Sequence, residues 1–287
     1  MDRKLLYIFT CIGLISSLHV YAQSNTRGVN TADTSLGRLG TLKNTPTHKI
    51  LLIPFYSKMC MVEIGKDVNL ATKLDFNEIV EQFRIQLDLA VYNAFRRDYS
   101  VISLLQGRYR SDSVVNYIYG STGYKYDMVP GATADIGAQD KNKSGNYIQN
   151  GQLKVPIDYS KRFMNVNISN PHLIGTLYKD YHTDTFVFIN ELDIKNVNNV
   201  AENLSDDTYR REVDVHYSIM DKEKRSIAKG LATTYFPFRV NDPKKIGEKY
   251  FAQIADSILR DYIQGLTHIN DQQKKQAMQA NNSSSPK

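Results

Sequence analysis

Lys49-Ile50-Leu51-Leu52-Ile53-Pro54 is a short, unbroken apolar run stopped by proline, and it constrains the rest of the chain more than any other segment. Apolar side chains at every position, rather than every second one, fit a strand covered on both faces. Downstream, Asp75 precedes Glu78 by three residues, the spacing of a capping box. Phe76, Ile79, Val80, Phe83, Leu87, Ala90, Val91 and Ala94 then recur on one helical face, and Arg96-Arg97 suits the negative end of the helix dipole. Residues 101–105 read as a second buried strand. Strand, amphipathic helix and strand make a βαβ unit, so the two strands are expected to be parallel with a right-handed crossover.

The same logic returns in the second half. Asn170-Pro171 is a cap followed by proline at the first helical position, and Leu173, Ile174, Leu177, Tyr178 and Tyr181 give one apolar stripe. Residues 185–189 form a third doubly buried strand. Val213, Val215, Tyr217 and Ile219 alternate with Asp214, His216 and Ser218, which predicts a strand with one core face and one polar face. Residues 221–224 make a turn, and 225–236 return as an antiparallel partner. Ala228, Gly230 and Ala232 on that partner leave room for a helix or another backbone. Asp242 caps a closing helix that Pro243 begins and Gly265 is expected to stop. Gly247, Tyr250, Phe251, Ile254, Ala255, Ile258, Leu259 and Tyr262 share its face. The order β-α-β-(insertion)-α-β-β-β-α predicts a single α/β domain (α+β mixed) over residues 47–268, with a mixed sheet of about five strands.

The insertion, residues 107–169, is dense in Gly, Tyr, Asn and Asp. Residues 115–119 and 124–128 flank Gly120-Ser121-Thr122-Gly123, which reads as a hairpin, and Asn150-Gly151 is a two-residue turn signal. A structureless loop this long is disfavoured, so one or two β-hairpins laid against the body are expected. No internal repeat is visible.

At the amino end, Arg3-Lys4 leads into an apolar stretch of about 16 residues, and Val20-Tyr21-Ala22 places small residues where a signal peptidase cuts. Residues 1–22 therefore read as a signal peptide, too short and too interrupted for a spanning helix of roughly 20 residues. Cys11 lies inside the apolar run with no small residue before it, which argues against lipidation. Residues 23–46 form a flexible leader, and residues 269–287, rich in Gln, Asn and Ser, a disordered tail. The expected place of work is the periplasm or the outer-membrane periphery.

Cleavage leaves a net charge of (36 − 2) − (30 − 1) = +5. The basic residues are scattered rather than striped, which argues against nucleic acid. Only Cys60 remains, so no intramolecular disulfide can form and an apolar core must supply the stability. Met59-Cys60-Met61 has the softness of a copper site but reads better as an apolar loop.

No nucleophile elbow, phosphate loop, dinucleotide fingerprint, His-Glu-x-x-His or Cys-x-x-Cys occurs. No catalytic residue, cofactor or metal ligand is therefore assigned. Asp180-x-His182-x-Asp184 is the tightest group of ligand-type residues and fits a polar helix end better than a zinc or calcium site. Two sets of residues are candidates for partner contact. Tyr117, Tyr119, Tyr124 and Tyr126 present amphipathic rings in the insertion, with packing of the hairpin as the competing role. Ile85, Leu89 and Tyr92 form a minor apolar strip on the first long helix, to be covered by the insertion or by a partner.

The "KILLIPF" strand, the long first helix, "DTFVFINELDI" and "VDVHYSIMDKEKRSIAKGLATTYF" before a closing helix resemble a group of exported α/β domains. These are the periplasmic domain of curli secretion channel subunits, the lipoprotein activators of penicillin-binding proteins and the TolB amino-terminal domain; the wording is also similar to uncharacterised exported Bacteroidetes proteins. The resemblance covers residues 47–110 and 170–265 and is one of layout. It carries over no functional residue. The chain departs from those families in lacking a lipobox Cys, and runs of about five residues flanked by Asp, Lys and Asn are too short for a membrane barrel. The resemblance and the missing motifs imply a non-catalytic binding or assembly protein whose partner is an envelope protein or cell-wall component. The alternative is a periplasmic hydrolase or metal-dependent enzyme. Oligomeric state is left open.

Overall fold

Both strands of the expected βαβ unit form where the apolar runs place them. The chain runs through β1 (Lys49–Ile53), β2 (Cys60–Val62), α1 (Gly65–Thr72), α2 (Phe76–Phe95) and β3 (Ser100–Ser103). It continues through α3 (Asp112–Gly120), β4 (Thr122–Met128), β5 (Ile148–Gln149), β6 (Gln152–Leu153), β7 (Arg162–Ile168) and α4 (Leu173–Tyr181). The last elements are β8 (Thr185–Val197), β9 (Arg210–Asp221), β10 (Ser226–Pro237), α5 (Pro243–Ile246), one π-helical turn (Gly247–Phe251) and α6 (Ala252–Ser283). The structure is a computed structural model that describes residues 48–129, 148–149, 152–153, 162–197 and 210–283. These fall within one unit, Thr45–Lys287. The proposed signal peptide and leader lie outside the described residues.

The main sheet has the order β10-β9-β8-β1-β3, with β2 pairing β8 beyond the end of β1. β1 is parallel to β3 and β8, while β9 and β10 are antiparallel. This is the α/β mixed sheet the pattern implies, with β2 as an extra short strand. The capping box is realised: the Asp75 carboxylate accepts the Glu78 amide at 2.9 Å, and Glu78 accepts the Asp75 amide at 2.8 Å.

Alternate residues of β1 enter two cores, which explains why its sequence is apolar throughout. Ile50 and Leu52 join Phe83, Leu87 and Val91 of α2 and Ile254 and Ile258 of α6. Leu51 and Ile53 join Val115 and Ile118 of α3 and Leu173, Ile174 and Leu177 of α4. Helices therefore cover both faces of the parallel strands, as a sheet with no solvent-facing side requires.

Three expectations are corrected. Residues 115–119 are not one arm of a hairpin but part of α3, where Ser111 caps the helix by accepting the Val114 amide at 3.3 Å. β4 instead pairs antiparallel with β7, from Thr122↔Ile168 to Met128↔Arg162. β5 and β6 do pair across the expected turn, Ile148 opposite Leu153, with Asn150 and Gly151 outside the described residues. At the other end, α6 does not stop at Gly265, and residues 269–283 are helical rather than disordered. Glycine at 265 answers a different need: a Cβ there would lie 2.1 Å from the Ile227 carbonyl oxygen, so helix and strand touch backbone to backbone.

The core face and polar face of β9 form as the alternation predicts, and the β4–β7 ribbon lies on the polar one. The amides of Met164 and Val166 donate to His216 Nδ1 and Ser218 Oγ at 2.7 and 3.3 Å. Asn190 donates to the Met164 carbonyl at 2.8 Å. Side chains that look solvent-facing by alternation are hydrogen-bond seats for a second layer.

Candidate functional site

Open α/β sheets bind ligands at the carboxyl ends of their parallel strands, where successive crossovers leave in opposite directions. In this sheet that point lies between β1 and β8. β1 pairs β8 as far as Ile53↔Phe188, and β2 resumes at Cys60↔Leu192, so the strand edge between them has a gap. Tyr119 from α3 fills it. Its hydroxyl lies 2.7 Å from the Pro54 carbonyl and 2.9 Å from the Ile189 carbonyl. Its ring stacks on Tyr56 at 5.5 Å and on Tyr124 at 6.0 Å. Complete burial holds the phenol well above its ordinary ionisation range. The side chains beside it face inward too. Asp88 takes the Ser103 hydroxyl at 2.8 Å and the Gln106 amide at 2.8 Å, and is pushed up to about 6 by burial. Arg84 donates to the Phe55 carbonyl at 2.9 Å.

A second polar group sits further along the sheet. Glu191, Asp193 and His216 are the one set among the described residues whose donor atoms could gather round a metal, all lying within 4.8 Å of one another. His216 Nε2 is 3.6 Å from Glu191 Oε2 and 3.8 Å from Asp193 Oδ2. Both Nε2 and Asp193 Oδ1 are buried without a hydrogen-bond partner among the described residues. Burial, then the charge of Asp193, raises Glu191 above the usual carboxylate range, although Tyr126 donates to its Oε2 at 2.8 Å.

The ring tautomer decides what this group can do. The Met164 amide donates to Nδ1, so that nitrogen carries a lone pair and the proton of the neutral imidazole resides on Nε2. A metal-bound histidine has the reverse arrangement, ligating through one nitrogen and donating from the other. Ligation through Nε2 would move the proton to Nδ1, facing the Met164 N–H. The docked ribbon thus opposes a metal here, and the group instead aims an N–H at two carboxylates. Cys60 belongs to the same neighbourhood and is pushed up to about 12 by burial and by Asp193 and Glu191, so its thiol is protonated and unreactive.

An open site lies at the sheet margin. A groove of about 520 Å³ runs along residues 226–231 of β10, with Asp261, Gln264, Gly265 and His268 of α6 on one side and Val129, next to the end of β4, on the other. The Tyr217 hydroxyl donates to Asp261 beneath Gly230, where a Cβ would come within 3.3 Å of that hydroxyl. The small residues Ala228 and Gly230 are the sequence signal for this place, and they do admit close neighbours.

The seven candidate contact residues are not brought together. Tyr119 is buried and Tyr124 stacks on it, which is the packing role. Tyr126 contacts Glu191 and meets the His216 ring edge-on at 6.2 Å. Tyr117 is 45 % exposed and only reaches Asn170. Ile85 and Tyr92 are half-buried, the latter under the Arg96 guanidinium, and Leu89 is 40 % exposed. The described ribbon packs into the core on the opposite face of the sheet from α2, so it does not cover that strip. Asp184 of the Asp180-His182-Asp184 group instead clasps the start of β1, accepting from the Lys49 amide at 3.0 Å and contacting His48 at 3.2 Å. That contact raises His48 above its ordinary value. Glu191 and Asp193 gave no sequence signal beside His216, because they meet only across the β8–β9 register. No protein-family profile matches this chain, and no curated protein is similar to it.

Proposed function

We propose that this chain is an exported, non-catalytic binding or assembly protein of the cell envelope, acting on an envelope protein or a cell-wall component. The observation that carries the reading is Tyr119: the crevice that α/β sheets use for small ligands is closed by a side chain bonded to both of its walls. Asp88 and Arg84 beside it spend their hydrogen bonds on neighbouring residues and loop backbone. Export rests on the basic and apolar character of residues 1–22, and the binding role on the missing catalytic motifs and on the layout resemblance.

The enzyme alternative has one observation in its favour, the Glu191, Asp193 and His216 group. Its tautomer argues against metal-assisted hydrolysis, and its buried position against access. The deciding experiment measures turnover of ester, phosphoester, peptide and glycan substrates by the purified chain, with and without added zinc. Rates equal to those of Asp88→Asn and His216→Phe variants are expected. A rate that either substitution abolishes while the fold is retained overturns the proposal.

A further inference from the structure

We propose that acid releases the β4–β7 ribbon from the main sheet, with the His216 imidazole as its proton-sensitive catch; this goes beyond the binding role and does not rest on it. The ribbon is held to β9 by side chains rather than by a strand ladder. β7 pairs with β4, and its outward amides at Met164 and Val166 end on His216 Nδ1 and Ser218 Oγ. The Met164 bond is buried and, at 2.7 Å, the shorter of the two. It needs a lone pair on Nδ1, which only the neutral ring has. An imidazolium carries a proton on both nitrogens, so two donors would face each other across this contact and the Met164 amide would be left without an acceptor away from water. Protonation of His216 and docking of the ribbon therefore exclude each other.

The direction of the effect depends on which neighbours of the ring leave with the ribbon. Glu191 and Asp193, 3.6 and 3.8 Å from Nε2, belong to β8, and Glu191 stands opposite His216 in the β8–β9 ladder. They favour the imidazolium in both states, so they make the proton available without holding the ribbon down. Asp214 is tied to Lys195 at 2.8 Å and to Thr233 at 2.6 Å, the Cys60 thiol is protonated, and Leu231 opposite the ring on β10 is uncharged. These stay with the sheet as well. On the ribbon, the Met164 N–H opposes the cation, and Arg162, two residues along β7, adds its charge in the same sense. Asp127 is flanked by Lys125 at 3.2 Å and Lys229 at 3.5 Å. Tyr126 of β4 meets the ring edge-on at 6.2 Å and donates to Glu191, so its departure frees that carboxylate for the imidazolium. One group pulls the other way: burial, then Asp193, holds Glu191 above the usual carboxylate range, and uncovering it releases a proton.

Histidines ordinarily titrate at about pH 6.5, so a ring that accepts its proton only in the released state shifts the docking equilibrium about 30-fold between about pH 7.5 and 5. Amide exchange of the full chain, followed by NMR and corrected for the intrinsic effect of pH, reads this shift as protection factors. Those of Met164 and Val166 are expected to fall about 30-fold over that range, while Leu51 and Phe186 in the sheet keep theirs. Both His216 ring nitrogens are expected to become protonated in the same step. His216→Asn sets a non-titrating amide oxygen where Nδ1 stands, so protection of the ribbon is expected at both ends of the range. Glu191→Gln removes the opposing titration and is expected to leave the fall at least as large. Ribbon protection that does not change with pH, an equal fall in His216→Asn, or loss of the fall in Glu191→Gln overturns the inference. So does a doubly protonated ring beneath a still-protected Met164 amide in the wild-type chain, a result that needs no variant to fold.

Discussion

Replacing Asp88 by asparagine should make the protein more stable at neutral pH, although it removes a buried, fully hydrogen-bonded group. Burial raises the folded-state value of Asp88 from 3.8 to about 6, outweighing the Gln106 and Ser103 hydrogen bonds and the Arg84 charge, which all act to lower it. At about 1.4 kcal/mol per pH unit, the gap of roughly two units makes the ionised carboxylate cost about 3 kcal/mol. The folded chain binds this proton more tightly than the unfolded chain, so it holds more protons between about pH 4 and 6. Stability therefore falls as pH rises through that window and stays lower above it. In the variant, the amide can donate to Ser103 Oγ and accept from Gln106. The Ser103 hydroxyl loses its acceptor, a cost of about 1 kcal/mol. The net expectation is a gain of about 2 kcal/mol at pH 7.5, shrinking to a loss of about 1 kcal/mol near pH 4, where the native carboxyl is already neutral. Urea unfolding of both proteins from pH 4 to 8 measures the difference directly. If Asp88→Asn is the less stable form at pH 7.5, and its deficit grows with pH, Arg84 holds the carboxylate ionised and the reasoning is refuted.

Tyr119→Phe should cost about 1–3 kcal/mol, because two buried carbonyls lose their shared donor; chemical denaturation measures it, and an unchanged midpoint would mean water replaces the hydroxyl. His216→Phe removes the acceptor for the Met164 amide, so exchange at residues 162–168 should accelerate while that of β1 does not; equal acceleration everywhere would mean the ribbon and sheet open together. In the native protein, stoichiometric zinc should leave the His216 ring nitrogens unshifted in NMR spectra. Gly265→Ala should destabilise by about 1–3 kcal/mol, as overpacked contacts do, because α6 must move off the Ile227 carbonyl. A wild-type melting temperature would show that the helix shifts at no cost.

The parallel core was legible because its signals are local or strictly periodic. The β1 run, the Asp75 capping box and the apolar stripe of α2 each specify one element without help from the rest of the chain. The insertion was misread where local cues conflict. Val114, Val115, Ile118 and Tyr119 recur at helical spacing behind the Ser111 cap, but β-branched and aromatic residues favour strands on propensity alone. β4 pairs with β7 some 40 residues away, across a segment that holds its own turn signal, and no local pattern encodes such a pairing. Gly265 was read as a stop because glycine often ends helices. Its real constraint, a strand carbonyl in contact, comes from residue 227 and is invisible along the helix.

The same long-range contacts account for what the candidate site became. A polar strand face signals solvent only if no second layer covers it, and β9 carries His216 and Ser218 as acceptors for a backbone that arrives from residues 164–166. Once that ribbon is seated, Nδ1 is spent, Nε2 must keep its proton, and a ligand set that looks metal-like by distance loses its lone pair. α3, at the head of the ribbon, also delivers Tyr119 into the gap between β1 and β8. One insertion thus fills the crevice between β1 and β8 and covers the polar face of β9.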